Sequence, residues 1–123
     1  MKEAKNILCC ALVLCSLVLF GCGKKADESR PISEVKAEAE QMDVDELKAM
    51  AMKYKKAILA KEPEIRKLTD QLKDIPIAKK LGTEGKEIRD EISALNKSAA
   101  ALKERFQVYY DKLKEKGGDL SGL

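Results

Sequence analysis

The chain contains no histidine and no tryptophan, only 4% of its residues are aromatic, and all four cysteines fall within the first 22 residues. Without histidine or a spare cysteine, soft metal sites of the zinc or iron-sulfur kind are excluded, so any bound metal would be a hard cation held by oxygen. No disulfide framework is available to the region beyond residue 22. There is no glycine-rich phosphate loop, and no nucleophile stands with a histidine base, which argues against an enzyme. A cofactor is not expected. The 24 basic and 21 acidic residues nearly cancel, giving a net charge of +3. Read over the whole chain they alternate rather than cluster, so the expected surface field is weak and no nucleic-acid footprint is expected. A globular core needs more large apolar side chains than this composition offers.

What is present divides into four stretches. Residues 1–21 carry Lys2 and Lys5 and then an uncharged apolar run from Ile7 to Phe20. That run, about 14 residues long, would span only ~21 Å as a helix, against a hydrocarbon core of ~30 Å. It is sized as an export signal rather than a membrane span. The run closes on Leu19-Phe20-Gly21-Cys22, which resembles the lipobox of bacterial lipoproteins. The resemblance covers the first fifth of the chain and implies cleavage between Gly21 and Cys22, with a lipid thioether on the Cys22 sulfur. Membrane lipid would then be the first partner, and the protein would be exported and lipid-anchored at the cell membrane. By the same resemblance, Gly23 lacks the aspartate that retains such proteins at the inner membrane, so a Gram-negative host would sort it to the outer membrane. The alternative is an uncleaved anchor extended through Gly23 and flanked by Lys24 and Lys25, which the short run disfavours.

Residues 22–32 are the expected tether: from Gly23 to Pro31 the chain holds mostly charge and no apolar anchor, the composition of a flexible segment that cannot offset its own ordering entropy. Residues 33–116 read as a long antiparallel helical hairpin, an all-α coiled coil. Ser33 is a candidate N-cap for a short, weakly apolar helix to about Gln41, which is expected to fray. Asp43 with Glu46 three residues on forms a capping box, with Met42 and Leu47 as a hydrophobic staple. Leu47, Met50, Tyr54, Ile58, Ile65, Leu68, Leu72 and Ile75 then lay an apolar seam along a helix over 43–75. Pro63 interrupts it, and a kink near 63 is favoured over a restart because the seam resumes in phase at Ile65. Asp74-Ile75-Pro76 and Leu81-Gly82-Thr83 mark the turn, with Gly82 suited to a left-handed terminus, Thr83 as the next cap, and the apolar Ile77 and Leu81 expected either to tuck the turn onto the helices or to continue one of them briefly.

The last helix, 84–116, repeats Ile88, Ile92, Leu95, Ala99, Leu102, Phe106, Tyr109 and Leu113 in alternating four- and three-residue steps, roughly four heptads. Lysines at 112, 114 and 116 suit its C-terminal dipole, Gly117-Gly118 ends it, and residues 117–123 read as a loose tail.

A two-helix hairpin buries one stripe per helix and is expected to be marginal alone. Met52, Leu59, Val108 and Tyr110 fall off the seam and are expected to stay exposed, offering a surface for a second copy or for an envelope protein. Met42, Met50 and Met52 read as core filler more readily than as a client-binding groove, Phe106 and Tyr109 as seam residues, and Glu87, Asp90 and Glu91 as acids that suit a helix start rather than a calcium site. The expected role is a structural or scaffolding lipoprotein of the cell envelope, with an adaptor or chaperone-like module presenting its coiled-coil surface as the alternative. The small murein-binding lipoproteins are similar in plan, but their terminal lysine has no counterpart in Ser121-Gly122-Leu123, so attachment to the wall is not implied.

Overall fold

The computed structural model describes residues 25–123, and among them the chain is all-α. Four helices follow one another: α1 (Ile32–Gln41), α2 (Val44–Asp74), α3 (Ile77–Leu81) and α4 (Thr83–Glu115). At 1.5 Å per residue α2 and α4 are each ~45 to 50 Å long, and they pair as the two arms of a helical hairpin. The short α3 forms its tip against α4, and α1 packs on α4 at the opposite end. None of these helices is long and apolar enough to cross a membrane.

α2 starts as its sequence requires. The Glu46 amide donates to Asp43 Oδ1 at 2.8 Å and the Asp43 amide donates to Glu46 Oε2 at 3.0 Å, so two otherwise orphaned donors are satisfied reciprocally. Pro63 lies inside α2, which runs unbroken to Asp74. The proline deprives the Leu59 carbonyl of its helical donor, but Pro63 and Leu59 are both exposed, so water can serve that carbonyl and no restart is needed.

Three local expectations fail for identifiable reasons. The N-cap of α1 is Pro31, whose carbonyl receives the amides of Glu34 and Val35, while Ser33 sits inside the first turn and makes no cap. Thr83 likewise lies within α4, which is capped by Gly82. Gly82 is extended, with φ −91° and ψ −166°, and not left-handed. The glycine that shapes this turn is Gly85, since a Cβ there would stand 2.2 Å from the Lys80 carbonyl oxygen of α3. The tip is then held by cations on orphaned carbonyls: Lys80 Nζ donates to the Lys73 carbonyl at 2.7 Å, and Arg89 Nη1 to the Lys80 carbonyl at 2.8 Å.

The left-handed glycine appears at the end of α4. Gly117 has φ +71°, its amide donates to the Lys114 carbonyl, and the Gly118 amide reaches back to the Leu113 carbonyl at 2.9 Å. These two bonds make a Schellman ending.

The core occupies only one end of the hairpin. Val35 and Ala39 of α1, Leu47, Met50, Ala51 and Tyr54 of α2, and Leu102, Tyr109 and Leu113 of α4 are buried together. Beyond Tyr54 and before Leu102 the seam continues through Ile58, Ile65, Leu68, Leu72, Ile75, Ile88, Ile92, Leu95 and Ala99, but each is only half-buried. The molecule thus has a closed three-helix base and an open two-helix arm that projects ~25 Å by its residue count. α1, expected to fray, supplies the third wall of that base. Its C-terminal carbonyls at Glu40 and Met42 accept from Lys116 Nζ at 3.2 and 2.6 Å, and Lys112 Nζ lies 2.6 Å from the Glu40 carboxylate.

Both segments expected to be loose are docked on the base. Leading into α1, Ala26 packs against the core. The Asp27 amide donates to the Tyr54 hydroxyl at 3.2 Å, and that hydroxyl donates to the Asp27 carbonyl at 3.1 Å. After α4, Leu120 and Leu123 pack against the core, Asp119 pairs with Lys48 at 2.5 Å, and Lys55 Nζ donates to the Gly122 carbonyl at 2.8 Å. The tail therefore runs alongside α2 in the direction of its chain.

Candidate partner-binding surface

Polar chemistry inside the base is concentrated around Arg30, Glu38, Tyr54, Arg105 and Tyr109. The Tyr54 and Tyr109 rings stack with centroids 5.5 Å apart and planes inclined by 30°. Burial, reinforced by the Glu38 carboxylate and Tyr54 against the opposing Arg30 cation, pushes the Tyr109 hydroxyl up to about 12. It therefore stays protonated at neutral pH. Arg105, only 7% exposed, donates through Nε to the Arg30 carbonyl at 2.9 Å and through Nη1 to the Ala101 carbonyl at 2.7 Å. Arg30 in turn pairs with Glu38 across the start of α1. These groups lock the residues before α1 onto α4. The heptad reading passed over Arg105 because it lies beside the seam position Phe106. A cation flanked by seam residues on both sides was the available signal.

The proposed lipidation site, Cys22 with Gly21, lies outside the described residues. Of the four off-seam residues expected to be exposed, Met52 and Leu59 are, at 45% and 49%. Val108 and Tyr110 are not. Val108 packs against the core and Tyr110 leans on Phe106, ring centroids 5.7 Å apart. At the base α4 carries α1 as well as α2, so more than one stripe of it is covered. The four residues do not form one surface.

Met52 and Leu59 share a face of α2 two turns apart, and the open groove between them is lined by Lys53, Lys55, Lys56 and Gly122. Here the sequence departs from the alternating charge of the whole chain. From Lys48 to Lys61 there are five lysines and no carboxylate. The expectation of evenly mixed charge thus fails locally, because averaging over the chain hides a basic run of four helical turns. The acids nearest in sequence are Asp45 and Glu46 before it and Glu62 and Glu64 after it. On the groove side Asp119 of the tail pairs with Lys48.

A second exposed apolar pair stands at the tip, where Ile77 and Leu81 are 75% and 82% exposed one turn apart on α3. They were expected to tuck onto the long helices or to continue one of them. The close approach of Gly85 to the Lys80 carbonyl instead fixes α3 by its backbone. Glu87, Asp90 and Glu91 lie exposed on α4, and among the described residues no group of three or more histidine, cysteine, aspartate or glutamate side chains could hold a metal ion.

Comparison of the chain with protein-family models, with curated proteins and with solved structures finds no match.

Proposed function

We propose that this is a small helical lipoprotein, acylated on Cys22 and exported to the cell envelope, where it acts as a structural or scaffolding component. The observation that carries the reading is the division of the rod into a locked base and an open arm. The segment continuing from Cys22 is bonded to the base through Asp27 on Tyr54 and Arg30 on Arg105. Tension from an acyl anchor would therefore enter the closed core rather than a loose peptide. The arm then extends away from the anchored end with a half-buried apolar stripe that a second copy or an envelope protein would cover. The described residues contain neither histidine nor cysteine, and the reading includes no catalytic step.

The exposed Ile77 and Leu81 favour a second reading, in which the tip holds a protein partner and the anchor serves as an adaptor. Replacing Cys22 by serine and measuring the mass and vesicle sedimentation of the cellular product tests the anchor. The acylated mass and sedimentation should both be lost, and an unchanged pair would refute it. Crosslinking in intact cells separates the two roles: a crosslinked second copy along the arm supports scaffolding, and a heterologous band through Leu81 supports the adaptor.

A further inference from the structure

We infer that the basic face of α2, built from Met52, Lys55, Lys56 and Leu59, is a docking surface for a bilayer carrying anionic phospholipid. The inference rests on the envelope reading for the presence of a membrane and, in its third argument, on the Cys22 anchor, while the charge and shape of the face stand without that anchor. Charge supplies the first argument. Five lysines and no carboxylate stand from Lys48 to Lys61 in a chain that is otherwise nearly balanced; Lys53, Lys55 and Lys56 of that run line the groove, while Lys48 is paired with Asp119 of the tail.

The shape of the patch supplies the second. Met52 and Leu59 present apolar atoms between lysine stems in an open groove, the composition by which a helix rests in an interface with its apolar side chains among headgroups and its ammonium groups on phosphates. Two half-exposed side chains ~10 Å apart along the axis fall far short of the ~800 Å² a side that a stable protein interface buries. A lipid surface sets no such minimum, because it conforms to the patch and its negative potential attracts each lysine that reaches it.

Position supplies the third. Asp27 is bonded to the Tyr54 hydroxyl, and Tyr54 lies between Met52 and Leu59 along α2. The chain leading back to Cys22 therefore leaves the base at the height of this face. Five residues can span at most ~17 Å, so an acyl chain on Cys22 would hold the base, and not the tip, against the bilayer.

The sequence has no tryptophan, so Met52→Trp introduces a single fluorescent reporter while keeping an apolar side chain in the patch. The protein matured in cells is mixed with vesicles of phosphatidylcholine, with or without phosphatidylglycerol, and helicity is followed by circular dichroism. Emission should move to shorter wavelength with phosphatidylglycerol only, and the shift should fade as salt is raised. A Leu81→Trp reporter at the tip should not respond. Lys55→Gln with Lys56→Gln should weaken partitioning about thirtyfold, each lysine near an anionic surface being worth about fivefold.

An unmoved emission with phosphatidylglycerol, or an equal shift in phosphatidylcholine alone, would overturn the inference. A shift produced without vesicles, by concentration or by added envelope proteins, would overturn it too, since the occupant would be a second copy or another protein. The mass of the mature amino terminus in the same preparation keeps the two proposals apart. An unacylated terminus with a phosphatidylglycerol-dependent shift refutes the anchor and supports the face, and an acylated terminus without the shift does the reverse.

Discussion

Replacing Arg105 by methionine should unlock the residues before α1 without dismantling the hairpin. The arginine is 7% exposed and donates to the Arg30 and Ala101 carbonyls from a stem that crosses the base. A hydrogen bond from a charged donor contributes about 1.5 to 3 kcal/mol net. The Ala101 carbonyl keeps its helical amide, so the loss is dominated by the Arg30 carbonyl, and methionine retains much of the stem packing. The expected cost is about 2 kcal/mol, or roughly 8 to 16 °C in Tm for a domain of this size. Thermal unfolding followed by circular dichroism gives the first number. Hydrogen exchange gives the decisive one, because amides around Ser29 to Glu34 should lose protection while those of the α2–α4 arm keep theirs. Tyr54→Phe, which removes the hydroxyl bonded to both main-chain groups of Asp27, should cost about 1 kcal/mol on the same segment. The two sites share that segment, so their effects should not simply add. If Arg105→Met leaves Tm and exchange before α1 unchanged, the lock does not exist and the base is held by apolar burial alone.

Three further outcomes follow from the same geometry. Because the Tyr109 hydroxyl is pushed up from 10.0 to about 12 in the folded state, the unfolded chain loses its proton first. Stability should therefore be intact below pH 10 and fall by up to about 2 kcal/mol as pH rises from 10 to 12; Tyr109→Phe should remove that alkaline slope in urea titrations, and an undiminished slope would refute the assignment. Pro63→Ala restores the donor for the Leu59 carbonyl at an exposed site within α2 and should stabilise the arm by about 1 to 3 kcal/mol, visible as slower exchange between residues 58 and 68; faster exchange there would count against a continuous helix. Gly85→Ala drives a methyl to 2.2 Å from the Lys80 carbonyl and should cost about 1 to 3 kcal/mol, with protease cutting at Lys79 or Lys80 that the parent chain resists.

The long helices were legible because their determinants are local. The Asp43 and Glu46 pair and the four- and three-residue steps from Ile88 to Leu113 specify a start and a seam without reference to the rest of the chain. The base was not legible for the opposite reason. Ala26 to Pro31 has no apolar run, and what docks it is its own backbone, bonded to Tyr54 and Arg105 from helices distant in sequence. The tail differs from its reading in the same way, since Leu120 and Leu123 alternate with small and charged residues and reach the core where Asp119 meets Lys48 and Gly122 meets Lys55, both distant in sequence. Val108 and Tyr110 were assigned to solvent by counting one stripe per helix, a count that fails wherever α4 carries two neighbours. The lysine run on α2 was readable throughout and was lost by averaging charge over the whole chain.

The boundary between base and arm has a single physical cause. α1 is only ten residues long, and it covers α4 from Lys116, which caps its last carbonyls, to Arg105, which binds the residue before its N-cap. The segment ahead of it extends that cover by a few residues, Glu28 meeting Ser98 and Asp27 meeting Tyr54. Full burial of the apolar seam on α2 and α4 ends within one turn of those same positions, although on α4 the four- and three-residue steps continue without a fault through Ala99, Leu95, Ile92 and Ile88. Closure is therefore set by a third wall and not by the quality of the heptads. Any partner that laid a comparable wall along Ile65, Leu68, Ile88 and Ile92 would convert half-buried side chains into core, each worth about 1 kcal/mol or more. The arm keeps a half-buried apolar stripe open to such a wall, whereas the base is already closed by the chain's own residues.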